Sequence, residues 1–193
     1  MTATALVTEL GTLAETIQDQ ATNEHSPNRG KSFLDEASRG MTREQLTSQA
    51  IQMRQELVAA VKTLPEGAFE PQSTDAEGNE VWSAGEVITH CNGVLMRFAE
   101  RGAALSGRDA PAWPEALVAS GEQRALDKEA AIAAAEQVKL ENWFARLPAD
   151  ADLEVSGESP AIGKVSPRVW LYFMAVHEAN HVEQLEELRA AHS

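Results

Sequence analysis

Leu46, Ala50, Met53, Leu57, Val61 and Leu64 recur at steps of four and three residues, a spacing that lays one apolar stripe along a helix and leaves the other face polar. Such a helix gains most of its stability by burying the stripe against neighbours, so it constrains the chain to a packed helical architecture. Composition agrees. Ala, Leu, Glu and Gln are abundant, whereas aromatic residues make up only 5% of the chain, which favours helix over sheet. The helix should run from about Thr42 to Leu64. Thr42 with Gln45 forms a capping box, Met41 and Leu46 occupy staple positions, and Pro65 and Gly67 end it.

Three further segments read the same way. Ser83 with Glu86 opens a helix reaching about Leu105, with Trp82 and Val87 as its staple and Val87, His90, Val94, Phe98 and Leu105 on its apolar face. Ser120 with Gln123 opens another, followed by Leu126, Ala130, Ala133, Gln137, Leu140, Phe144 and Leu147 until Pro148 stops it. Ser166 and Pro167 make an N-cap and first-turn proline for the last, which should bury Trp170, Phe173, Met174, His177, His181, Leu185 and Leu188. Four single-faced helices are best satisfied by an all-α four-helix bundle. Its links are a loop from Glu66 to Val81 with a turn at Glu77, Gly78 and Asn79, a Pro-containing loop from Gly107 to Ala119, and an irregular stretch from Asp150 to Val165. Ahead of the bundle, Leu6, Leu10, Leu13 and Ile17 mark an additional N-terminal amphipathic helix, and Asn23 to Gly40 reads as a linker. The expected division is therefore residues 1–40 for this helix and linker and residues 41–193 for the bundle. The N-terminal helix is free, at this level, to fold back on the bundle or to pack on a second subunit.

Bulk properties narrow the function. A chain of 193 residues supports one domain and an appendage. Thirty acidic against sixteen basic residues give a formal charge of -14, which repels phosphate backbones and argues against nucleic acid as a partner. The single cysteine, Cys91, cannot form an intramolecular disulfide, and the first twenty residues lack the basic start and apolar run of a signal peptide. A reducing, cytoplasmic location is expected. No apolar run approaches the roughly 18 to 20 residues needed to span a bilayer, so no membrane partner is expected either.

Of the five histidines, His90, His177 and His181 fall on inward faces. An imidazole in a bundle core is costly without a partner, and three on converging faces suggest a shared one. His177 and His181 are one turn apart and project from the same side, so they can bind one metal ion. With Glu178 they also spell HExxH, the zinc-protease pattern in which the glutamate is a general base. That reading lacks its context. The third ligand would be a glutamate roughly twenty residues downstream or a histidine six residues after the second, but the chain ends at Ser193 and Glu187 stands at the six-residue position. No strand pattern offers a substrate-binding edge, and Glu178 is rotated about 100 degrees from the ligand face, which reads as a surface or supporting residue.

Trp82-Ser83-Ala84-Gly85-Glu86 followed by His90, and Trp170 leading to His177-Glu178-Ala179-Asn180-His181-Val182-Glu183-Gln184-Leu185, resemble the DinB/YfiT-like superfamily. Its pattern is a tryptophan, a histidine eight residues later on the second helix, and H-x-x-x-H-x-x-Q on the last, and each element is matched between about Thr42 and Ala191. The resemblance implies a DinB-like four-helix bundle with His90, His177 and His181 as ligands of a divalent metal, with zinc, nickel and iron as candidates. It further implies an enzyme acting on a small-molecule substrate. Family members with assigned activities are S-transferases and isomerases using low-molecular-weight thiols such as mycothiol or bacillithiol, or hydrolases. Three neutral imidazoles leave the ion its full charge and an open position, a donor set that can lower the pKa of bound water or deprotonate a bound thiol. The ligands do not choose between the two. The competing reading is a non-catalytic, stress-related or metal-binding module, or a helical dimer with structural histidines. A homodimer, through bundle faces or the N-terminal helix, is the expected assembly.

Several neighbours have two readings. Glu86 could reach metal-bound water, yet its capping box already explains it. Gln184 could hydrogen-bond a ligand imidazole or substrate. Arg97 could bind a carboxylate of substrate or thiol, or make an ordinary ion pair. Cys91 reads as a buried inert thiol turned away from the site. Trp82 and Trp170 read as packing residues, and His25 and His192 as solvated.

Overall fold

The computed structural model describes residues 3–23, 27–74, 81–105, 126–145, 147, 151–155, 157–159 and 163–193. Within them the helices are α1 (Ala3–Asn23), α2 (Pro27–Ser38), α3 (Arg43–Thr63), α4 (Ala84–Leu105), α5 (Lys128–Gln137), α6 (Leu140–Phe144) and α7 (Pro167–Ala191). A 3-10 turn occupies Glu66–Phe69. The fold is all-α, its only described strands being a short antiparallel ribbon, β1 (Gly157–Ser159) on β2 (Gly163–Val165), in the stretch expected to be irregular.

Capping chemistry places the helix starts. Thr42 Oγ1 accepts from Gln45 N at 3.2 Å while Gln45 Oε1 accepts from Thr42 N at 2.8 Å. Ser83 and Glu86 form the same reciprocal pair, at 3.3 and 2.8 Å. At the head of α7 the Ser166 hydroxyl accepts from Val169 N, and Pro167 fills the first turn. Gly85 permits a close approach beside the second cap. A Cβ there would clash with Leu126 N, a backbone atom that cannot swing aside.

Helix α3 buries the whole expected stripe, from Leu46 to Leu64. It packs along α7, as does α4, and α5 packs on both α3 and α4. The core falls into two clusters. One holds Leu46, Met53, Leu95, Trp170, Met174 and Ala179, and the other Leu57, Val61, Val87, Cys91, Val182 and Leu185. The boundary therefore crosses α3 between residues 53 and 57, α4 between 91 and 95, and α7 between 179 and 182.

Three expectations change. The stretch read as a linker carries α2, and α1 folds back with it onto α7, so that Leu6, Leu10 and Leu34 join the first cluster. Helix α7 is consequently buried on more than its expected face, with Leu171, Tyr172, Ala175, Val176 and Val182 also enclosed. Arg168 fastens this arrangement by donating to Glu154 Oε1 at 2.6 Å, Asp35 Oδ1 at 2.8 Å and Ser38 Oγ at 2.6 Å. The helix expected from Ser120 to Leu147 also differs. Asp127 caps α5, accepting from Ala130 N at 2.8 Å, and the helix breaks at Val138 and Lys139 before α6. Ala131, Ala135 and Val138 face inward, while Ala130, Ala133 and Gln137 are exposed. An alanine-rich helix has no bulky side chain to fix its rotation, and the break resets the phase for Leu140 and Phe144. Ser120, Gln123, the turn at 77–79, the loop at 107–119, and the side chains of Ile17, Phe98 and Leu105 lie outside the described residues.

The phase of α5 is testable. Ala135→Leu should destabilise the protein by about 1–3 kcal/mol through overpacking, whereas Ala133→Leu should stay within about 0.5 kcal/mol, as read by urea denaturation. Equal effects would mean that α5 is rotated from this description.

Candidate metal centre

Two adjacent helices supply the site. The Ser83–Glu86 box starts α4 and carries His90 into the contact with α7, where His177 and His181 stand on successive turns. The three rings converge, with centroids 5.1 Å apart for His90 and His177, 5.0 Å for His90 and His181, and 4.6 Å for His177 and His181. One ring nitrogen from each lies within 4.8 Å of the other two, so the group could hold a metal ion. His90 Nε2 and His177 Nε2 are 3.1 Å apart, close to the roughly 3.3 Å separating two nitrogens that share a tetrahedral zinc at ordinary bond lengths.

The electrostatics suit neutral ligands. Burial, then the positive charge that His181 and Arg97 would present, lowers the His90 pKa to about 4. Burial is also the leading cause that holds His177 well below the ordinary imidazole value, followed by His181 and His90. His181 is lowered by burial despite an opposing hydrogen bond to Gln184. All three are thus unprotonated near neutrality, with lone pairs available to a cation. His181 Nδ1 donates to Gln184 Oε1 at 2.8 Å, which fixes the tautomer and leaves Nε2 as the ligand atom. The donor set, its tautomer control and its spacing all fit a divalent ion.

Trp82 forms a wall of the site. Its ring lies 4.9 Å from His90 and stacks at 10° on His181 with a 6.5 Å centroid separation, so it does more than pack at a helix start; Trp170 is buried in the core. Phe173 meets His177 edge-on at 6.2 Å. Glu86 is engaged in its cap, with Oε2 accepting from Ser83 N and Oγ at 2.8 Å each. Arg97 is exposed one turn beyond Gly93 and acts on His90 and His177 through its charge. Cys91 is fully buried, and burial holds its thiol protonated far above the usual range. His192 is exposed yet hydrogen-bonded to Gln72 at 2.8 Å, and His25 lies outside the described residues.

Glu178 requires a correction. It is 1% exposed, not a surface residue, and Oε1 accepts from Arg54 NH2 at 2.7 Å. Burial pushes its carboxyl up to about 7 against the lowering pull of Arg54. Arg54 and Asn92, which share this network through a 2.9 Å hydrogen bond, did not emerge from the sequence. A signal existed. Arg54 stands four residues after Ala50 and three before Leu57, inside the apolar register of α3.

These features define an all-helical protein with a three-histidine group, able to hold a metal ion, at the contact of two helices. The DinB superfamily profile matches residues 49–185, a span that includes all three histidines. The chain belongs to the DinB superfamily. No curated protein and no solved structure gives a match. Among the described residues no helix is long and apolar enough to cross a membrane.

The lowered histidines set a pH dependence. Below the ordinary imidazole value of 6.5 the three histidines resist protonation in the folded state, His90 down to about 4, but are protonated on unfolding, so stability falls as pH falls. Glu178 opposes this, because its raised pKa means that it gives up a proton on unfolding between pH 7 and 4.5. With three histidines acting in one direction against a single carboxyl, the histidines are expected to set the slope. In chelator, Tm should decrease from pH 7 to pH 4.5, and His90→Gln with His181→Gln should flatten the slope; a rising Tm on acidification would contradict the assignment.

Proposed function

We propose that this protein is a divalent-metal-dependent enzyme of the DinB-like type, with His90, His177 and His181 as the metal ligands and a small electrophilic molecule as substrate. The observation that carries the reading is the convergence of three desolvated, unprotonated imidazoles, one with its tautomer fixed by Gln184. A zinc, nickel or iron ion held by such a set would supply a Lewis acid able to activate a low-molecular-weight thiol or a water molecule.

The chain's own residues have separate tasks. The imidazoles bind without adding negative charge, so the full cationic charge remains available to a thiolate or an oxyanion. Trp82 and Phe173 line the histidines with apolar surface, which excludes bulk water and strengthens electrostatic interactions at the site. Arg97, exposed and close enough to act on His90 and His177, is placed to attract an anionic group on substrate or thiol. The HExxH protease reading loses its base, because the Glu178 carboxylate is engaged by Arg54 inside the core.

Elemental analysis of untagged, gently purified protein should find close to one divalent ion per chain. A content below about 0.2 per chain, with no shift in Tm on adding zinc, nickel or iron, would overturn the reading. His181→Ala should abolish binding while the metal-free melting temperature changes little. If the fold collapses instead, the histidines are structural. With metal bound, conjugation of model electrophiles by added cellular thiols would identify an S-transferase, and hydrolysis without thiol would identify the water-using alternative.

A further inference from the structure

We propose that Arg54 is a positioning residue that sets the register between the two ligand-bearing helices, a role resting on the metal-site reading above. Its guanidinium reaches both helices from α3. NH1 donates to Asn92 Oδ1 at 2.9 Å, two residues beyond His90 on α4, and NH2 donates to Glu178 Oε1 at 2.7 Å, next to His177 on α7. Arg54, Asn92 and Glu178 are 4%, 3% and 1% exposed, so this is an interior connection with no solvent to replace a lost partner.

The arrangement is a poor device for stability alone. Desolvating a guanidinium and a carboxylate is expensive, and two apolar side chains of similar volume usually stabilise a core as well or better. Here the cost is increased, because Arg54 Nε and Glu178 Oε2 are buried without a hydrogen-bond partner among the described residues. What the pair supplies is direction. Two donors on one rigid plane meet acceptors on two different helices, and a slide of α4 against α7 by one residue, about 1.5 Å, would break at least one of them. Apolar contacts on either side tolerate such a slide better, since side chains such as Met53, Leu57 and Leu95 repack. The three imidazoles do not tolerate it, because their nitrogens must stay within bonding distance of one point.

The network also lies at the level of the site along each helix. Arg54 and Asn92 lie at the boundary between the two core clusters on α3 and α4, as His181 does on α7, and Glu178 sits just ahead of it beside Ala179; Cys91 Sγ, a His177 ring nitrogen and a Glu178 carboxylate oxygen are within 4.8 Å of one another. The positioning therefore acts beside the ligands and is not relayed through a long stretch of helix.

The double variant Arg54→Met with Glu178→Met, studied at pH 8.5, above the raised Glu178 value, separates geometry from charge, since it removes one positive and one negative group and leaves the net charge near the site unchanged. It should melt at or above the wild-type metal-free temperature yet bind zinc about 10- to 100-fold more weakly in a competition titration against a chromophoric chelator. The visible spectrum of the cobalt-substituted variant should differ from that of wild type, a readout that a merely structural role would not move. Asn92→Leu, which cuts only the connection to α4 and keeps the ion pair, should weaken zinc binding in the same direction, and it decides the matter if the double variant does not fold. Wild-type zinc affinity and cobalt spectrum in the folded variants would overturn the positioning role alone. Absence of zinc and cobalt binding in the wild-type protein would overturn the metal site, and this inference with it.

Discussion

Burial of α7 on nearly every side from Pro167 to Val182 is the constraint on which the rest of the structure depends. The helix packs against α1, α2, α3 and α4, and this stretch leaves little solvent face for polar groups, whereas Glu186 and Glu187 farther on are exposed, so the polar groups of the buried stretch need partners in the protein. Arg168 meets Glu154, Asp35 and Ser38 at the start of the helix. Glu178 meets Arg54, and His181 meets Gln184. His177 faces His90 across the gap to α4. The candidate site is one case of a pattern that runs along the buried part of the helix.

The histidine cluster differs from the other cases in what satisfies it. Arg168 is satisfied by carboxylates and a hydroxyl, and Glu178 by a guanidinium, but the three imidazoles mainly face one another. Without a cation, one N–H can be shared between His90 and His177, while protonation of these two rings is opposed first by burial and then by the charge of neighbouring rings, and protonation of His181 by burial. A divalent ion removes that conflict, because it takes a lone pair from each ring. Its affinity is helped by desolvation having already suppressed the competing protons.

Much of this was legible in the sequence, for identifiable reasons. The α3 stripe and the caps at Thr42, Ser83 and Ser166 depend on local spacing, and local spacing is what a sequence displays. His90 could be joined to His177 and His181 because all three lie on apolar stripes. Ala130 and Ala133 face outward instead of inward, since small side chains leave a helix free to rotate, and the break at Val138 and Lys139 coincides with no proline or glycine that would mark it in the sequence. The all-round burial of α7 had a local sign in the unbroken apolar run from Val169 to Val176. What covered that run was not local, because α1 and α2 come from the far end of the chain. Arg54 was hidden for a related reason. Its place in the apolar register of α3, between Ala50 and Leu57, marked it as inward-facing, but its partners lie on two other helices and have no local sign.

The two-cluster core explains why a polar layer can be carried at this place. On α3 the apolar series is Met53, then Leu57; on α4 it is Cys91, then Leu95; on α7 it is Ala179, then Val182. Each gap is three or four residues, one helical turn, and Arg54, Asn92, Glu178 and the histidines lie in or beside these gaps. Apolar packing above and below the layer supplies the folding free energy and excludes water, which makes every interaction within the layer stronger and every missing partner more costly. Such a layer is satisfied in one register only. The apolar clusters would hold the helices together in several, so the uniqueness of the arrangement, and with it the meeting of three nitrogens at one point, comes from the polar residues that stabilise it least.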